Sequence, residues 1–128
     1  MARILIADDE EAMRSLIARA LRQDGHEVTT ANDGAQALDV LAREKGKFEL
    51  LLTDIRMPVM DGIALAHAAG HRHPDVTILL MTGYADQRER AHGLDALIHE
   101  VITKPFSLGT MRKAVNDALG GSSRPPDD

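Results

Sequence analysis

Leu50-Leu51-Leu52-Thr53-Asp54 is a short apolar run that stops at an acid, and Met57-Pro58-Val59-Met60-Asp61-Gly62 follows it as a loop. An unbroken apolar run of this length is the mark of a strand buried on both faces, and it places this strand near the centre of a parallel sheet. The pattern recurs on either side. Ile4 to Ala7 is a second run and ends at Asp8-Asp9; Thr77 to Met81 is a third and ends at Thr82-Gly83; Val101-Ile102-Thr103 ends at Lys104-Pro105-Phe106. Glu27 to Ala31 alternates polar and apolar residues, as an edge strand does.

Between these runs the apolar period becomes helical. Met13, Leu16, Ile17, Ala20 and Leu21 form one face with Gly25 as its stop, and Leu38, Leu41 and Ala42 form the next with Gly46 as its stop. Asp61 is placed to cap a helix that runs to about His71, before Pro74, and Leu108, Met111, Val115, Ala118 and Leu119 line a last helix. Residues 86–92 include Asp86, Arg88, Glu89 and Arg90, so a helix there has little to bury and is expected to be held by few contacts. Five strands alternating with five helices imply an α/β fold with a parallel sheet and right-handed crossovers.

Ligands in such sheets bind beyond the carboxyl ends of the strands. Asp8, Asp9, Asp54, Thr82 and Lys104 all fall there, so three carboxylates, a hydroxyl and an ammonium can meet at one point. That set suits a hard divalent cation together with a phosphoryl group. Taken singly, each residue has a plainer reading: acids at 8–11 complement a helix dipole, Asp54 closes a turn, Thr82-Gly83 ends a strand and Lys104-Pro105 breaks one. Their common register is what favours a site. His67 and His71 lie one helical turn apart, but no nearby acid or cysteine completes a ligand set, and they read as a solvated helix face.

Composition bounds the function. With 128 residues the chain is expected to form one domain over 1–119, with 120–128 as a disordered tail rich in Gly, Ser, Pro and Asp. A net charge of −5 argues against general nucleic-acid binding, which needs clustered cations. The lack of cysteine removes disulfides, Cys–zinc sites and thiol chemistry. No apolar run is long enough to cross a membrane, and the start turns acidic too soon for a signal peptide, so a cytoplasmic location is expected.

In this order and on these elements, the motifs resemble the receiver domains of two-component response regulators, from Arg3 to about Leu119. The resemblance implies a flavodoxin-like, three-layer (βα)5 fold with strand order 2-1-3-4-5. It implies that Asp54 accepts a phosphoryl group from a histidine kinase or phosphotransfer protein, and that Asp8, Asp9, Asp54 and the backbone carbonyl of Arg56 bind Mg²⁺. Lys104 would pair with Asp54 and then with a phosphoryl oxygen, while the Thr82 hydroxyl would bond another. The Lys104–Pro105 bond would be cis. The helix at 86–92, the fifth strand and the last helix would form the switching face that binds a downstream protein.

The resemblance implies self-catalysed phosphotransfer and dephosphorylation rather than a conventional enzyme. Many receivers carry Tyr or Phe where Val101 stands, and the one tyrosine, Tyr84, lies two residues after Thr82. The expectation is that the usual aromatic switch is absent and that Tyr84 reports the state instead, alongside Thr82 and Pro105. The opening Met1-Ala2-Arg3-Ile4-Leu5-Ile6-Ala7, with Ala18-Arg19-Ala20-Leu21 and Val101, resembles the CpdR type. Those are stand-alone receivers that control substrate delivery to a AAA+ protease, so output would run through protein binding. Two alternatives stand beside this reading: a degenerate receiver that binds partners without phosphorylation, and an aspartyl-phosphate phosphohydrolase. The second would want a further acid where Arg56 stands.

Overall fold

The computed structural model describes residues 2–83 and 97–120. Five strands, β1 (Arg3–Ala7), β2 (Glu27–Ala31), β3 (Leu50–Asp54), β4 (Thr77–Thr82) and β5 (Glu100–Thr103), pair in parallel in the order β2-β1-β3-β4-β5. The helices among the described residues are α1 (Glu11–Gln23), α2 (Gly34–Arg43), α3 (Gly62–Arg72) and α4 (Leu108–Ala118). This is the flavodoxin-like strand order. The chain leaves β1 for the β2 edge, then crosses back to β3 on the other side of β1. The loops after β1 and β3 therefore part at the carboxyl end of the sheet and open a crevice between them.

Strand alternation sorts the core into two layers. Leu5, Leu51, Ile78 and Leu80 pack with Val40, Leu41, Leu65 and Ala66 under α2 and α3. Their neighbours Ile4, Ile6, Leu50, Leu52, Leu79 and Met81 pack on the opposite face with Ile17, Leu21, Met111 and Val115 of α1 and α4. Because β1, β3 and β4 are covered on both faces, their sequences are nearly continuous in apolar residues. Each fully buried Leu or Ile side chain contributes about 1.5–3 kcal/mol.

Caps fix where three helices begin. The Asp33, Asp61 and Ser107 side chains accept from the backbone N–H groups of Gln36, Ala64 and Thr110 at 2.8, 2.9 and 3.0 Å. Asp61 is the cap the sequence predicts. By contrast Glu10, which precedes α1, makes no side-chain cap. Gly25 and Gly46 stop α1 and α2 with φ of +91° and +69°, a left-handed turn that glycine adopts without steric cost.

Two expected core positions face solvent. Leu16 is 46% exposed, because it falls one step beyond the stripe formed by Ile17, Ala20 and Leu21. Ala42 is exposed for the same reason, next to buried Leu41. His67 and His71 are exposed on α3 with their rings in edge contact at 4.7 Å. Among the described residues, no helix is long and apolar enough to cross a membrane. The helix expected at 86–92, Tyr84 and the tail at 121–128 lie outside the described residues.

Candidate functional site

The carboxyl ends of β1, β3 and β5 bring three charged residues together. Asp8 follows β1, Asp54 is the last residue of β3, and Lys104 follows β5. The Lys104 ammonium lies 3.3 Å from Asp54 Oδ2 and 3.7 Å from Asp8 Oδ2. Asp8, Asp9 and Asp54 can each offer an oxygen within 4.8 Å of the others, the one such metal-competent cluster among the described residues. Asp8 and Asp54 are buried and Asp9 is exposed.

Backbone contacts hold these groups in place. Asp54 Oδ1 accepts from the N–H of Ile55 at 2.9 Å. Asp8 Oδ1 accepts from the N–H of Glu10 at 2.9 Å. The Lys104 N–H donates to the Thr82 carbonyl at 2.7 Å, which continues the β4–β5 ladder by one rung. The Lys104–Pro105 peptide is cis, as the resemblance implies. Gly62 opens α3 so close to β3 that a Cβ there would overlap the Asp54 carbonyl oxygen. A glycine at this position thus lets the helix start directly behind the acid.

Burial pushes the Asp54 carboxyl above its ordinary pKa, against the lowering pull of Lys104 and of the Ile55 N–H. Burial also raises Asp8, opposed by the Glu10 N–H and by Lys104 and reinforced by the charge of Asp54. One ammonium cannot neutralise two buried carboxylates. Asp8 Oδ2 shows the deficit directly: it is buried with no hydrogen-bond partner, since Lys104 at 3.7 Å is too far to donate. An orphaned carboxylate oxygen beside two further acids fits a hard divalent cation with oxygen ligands.

The remaining predicted residues divide. Arg56 and Pro105 line the crevice with Asp9, Asp54, Gly83 and Lys104. Thr82 is fully buried at the end of β4, and Gly83 rather than Thr82 lines the crevice. Val101 is half-buried and packs against the layer of α2 and α3. Three participants were not singled out from the sequence. Met13 lines the crevice, Thr53 Oγ1 donates to the Asp54 carbonyl at 2.9 Å, and Arg14 Nη1 donates to the Asp8 carbonyl at 2.7 Å. Met13 and Arg14 sit in the first turns of an ordinary amphipathic helix, and nothing in their spacing marks them apart from its other residues.

A doubly wound parallel sheet with paired acids, an aspartate and a lysine at its carboxyl edge defines the receiver class. The chain matches the response regulator receiver domain family over residues 4–116 and belongs to it. It is 41% identical over 117 residues to the response regulator receiver protein CpdR of Brucella abortus, covering 91% of this chain and 93% of that protein. It is 34% identical to the response regulator MprA of Mycobacterium avium, covering 98% of this chain but only 54% of the relative, so it spans about half of MprA. Among solved structures, the response regulator TrrA of Thermotoga maritima, in complex with Mg²⁺ and beryllofluoride, aligns with a TM-score of 0.80 at 29% identity over 92% of this chain and 99% of that one. Receivers are phosphoacceptors in two-component signalling, not enzymes that turn over an external substrate.

Proposed function

We propose that this chain acts as a response-regulator receiver, with residues 1–119 as the receiver unit and Asp54 as the phosphoacceptor. The observation that carries this reading is the Lys104–Asp54 ion pair at 3.3 Å beside the orphaned Asp8 oxygen. Asp8, Asp9, Asp54 and the Arg56 carbonyl would hold Mg²⁺. When bound, the cation offsets the negative charge that otherwise keeps a carboxylate from approaching a phosphoryl group.

In the transfer, an Asp54 carboxylate oxygen attacks the phosphorus of a phosphohistidine on a histidine kinase or phosphotransfer protein. The new O–P bond forms as the N–P bond breaks, and the released imidazole nitrogen takes a proton from solvent. Lys104 follows the charge from the carboxylate to a phosphoryl oxygen, as a compact cation on a flexible stem can. The Thr82 hydroxyl donates to another phosphoryl oxygen and so senses the modification. Positioning and electrostatics supply nearly all of the rate. Water attack on the acyl phosphate resets the protein.

Output is phosphorylation-dependent protein binding through the face that includes β5 and α4. The identity to CpdR over nearly its whole length supports the CpdR-type resemblance, and that resemblance implies a partner in regulated proteolysis, such as a AAA+ unfoldase, engaged by the unphosphorylated form. Tyr84 replaces the missing aromatic at Val101 as the reporter of state.

The test is intact mass after incubation with acetyl phosphate, with and without Mg²⁺, for the wild type and Asp54→Ala. One phosphoryl adduct that needs Mg²⁺ and is lost in the variant is expected. An adduct that persists in Asp54→Ala, or no adduct at all, overturns the reading and favours a degenerate binding module.

A further inference from the structure

Asp8 is tied down at three of its four polar atoms. Its N–H donates to the Ala31 carbonyl at 3.1 Å, its Oδ1 accepts from the Glu10 N–H at 2.9 Å, and its carbonyl accepts from Arg14 Nη1 at 2.7 Å. The fourth, Oδ2, is the buried oxygen without a hydrogen-bond partner, and it lies 3.7 Å from the Lys104 ammonium that also pairs with Asp54. Two of these three ties use backbone groups, a carbonyl that any residue at 31 and an N–H that any residue but proline at 10 would supply. The third depends on one side chain.

We propose that Arg14 is a positioning residue for the cation ligand Asp8: its guanidinium clamps the Asp8 carbonyl so that Oδ2 stays directed into the site. This role rests on the reading of that site as a divalent-cation centre. The need for a clamp is visible locally. Asp8, Asp9, Glu10 and Glu11 place four successive acids along the β1–α1 loop and the first residue of α1, and their repulsion favours opening of that loop. Glu10 provides no side-chain cap to close it. Arg14 is half-buried one turn into α1, where its own N–H donates to the Glu10 carbonyl at 2.9 Å, so the clamp is mounted on the helix that the loop begins. A charge-assisted bond at 2.7 Å from a planar, permanently charged fork is strong and directional. Loss of a group that orients a metal ligand typically costs about 10–100-fold in metal affinity.

The experiment measures Mn²⁺ affinity by the electron paramagnetic resonance of the free ion, with the metal-free urea midpoint measured in parallel. Arg14→Met keeps the aliphatic stem and removes the donors; Arg14→Lys keeps the charge and one donor group. Arg22→Met is the control: it deletes a cation from the same helix, one whose Nη2 bonds the Val28 carbonyl at 3.0 Å, away from the cluster. Arg14→Met should weaken Mn²⁺ binding by about tenfold or more, with partial recovery in Arg14→Lys and wild-type affinity in Arg22→Met. A purely structural role would lower the urea midpoint and leave the affinity of the folded protein unchanged, which overturns the proposal. Equal weakening in Arg22→Met also overturns it, because loss of any helix charge would then suffice. If the wild type binds no Mn²⁺, the cation-site reading falls and this role with it; if the wild type binds and Arg14→Met binds equally well, only this role falls.

Discussion

Lys104 is the one cation within ion-pair reach of Asp8 and Asp54 among the described residues, and both acids are buried. Lys104→Ala should therefore slow adduct formation from acetyl phosphate by about 10²-fold, the scale of losing one charge-stabilising donor from a preorganised site; rates from a mass time course check this. The raised pKa values of Asp8 and Asp54 fix a pH dependence. Both carboxyls hold their protons more tightly folded than unfolded. Between the ordinary carboxylate value and the raised one, the folded state binds the extra proton, so metal-free stability falls as pH rises through that window and stays lower above it. Asp8→Asn removes a buried, poorly paired charge. It should raise metal-free stability at neutral pH by about 1–3 kcal/mol and lose that advantage in acid, as read from urea midpoints across pH. At this scale the side chains that gather at the carboxyl end of the sheet could be read directly, because each follows an apolar run. Arg14 and Thr53 could not, since their roles come from bonds to backbone carbonyls that no residue pattern announces.

At the scale of the element, α3 is set against β3 by one missing methyl. Gly62→Ala would force a Cβ into the Asp54 carbonyl oxygen and should cost about 1–3 kcal/mol, with slower phosphorylation because the acid must shift. Thermal melts and adduct kinetics on one sample separate the two effects. On α1, Leu21→Ala should cost about 2–5 kcal/mol, whereas Leu16→Ala should change stability by less than about 0.5 kcal/mol, since Leu21 is fully buried and Leu16 half exposed. That contrast shows where pattern reading fails. A helical period identifies a stripe but not its edges, and Leu16 and Ala42 lie just past them. Strand limits were easier: β1, β3 and β4 are sandwiched, so apolar runs and strands nearly coincide.

Across the whole molecule, the layering follows from alternation along each strand, but strand order does not. Nothing in the period of the β1 run says that β3 rather than β4 lies beside it; the family resemblance supplied that order. The pairing matters, because β1 and β3 as neighbours bring Asp8 and Asp54 together in one cluster. A cation bound there couples to the entire fold. At Mg²⁺ ten times its Kd, stability should rise by about 1.4 kcal/mol, and Asp8→Asn should lose most of that gain. Thermal unfolding against Mg²⁺ concentration tests this, and equal shifts in both proteins would place the ion elsewhere.

Lys104 belongs to two systems at once. Its amide is the last rung between β5 and β4, and its ammonium reaches past β4 to the acid that ends β3. β5 is a sheet edge of four residues, Glu100–Thr103, the shortest strand among the described residues. A change of charge on Asp54 should therefore pull on the tip of that edge, and the exchange of the Lys104 amide with solvent deuterium should act as a clock for the chemistry of a side chain two strands away.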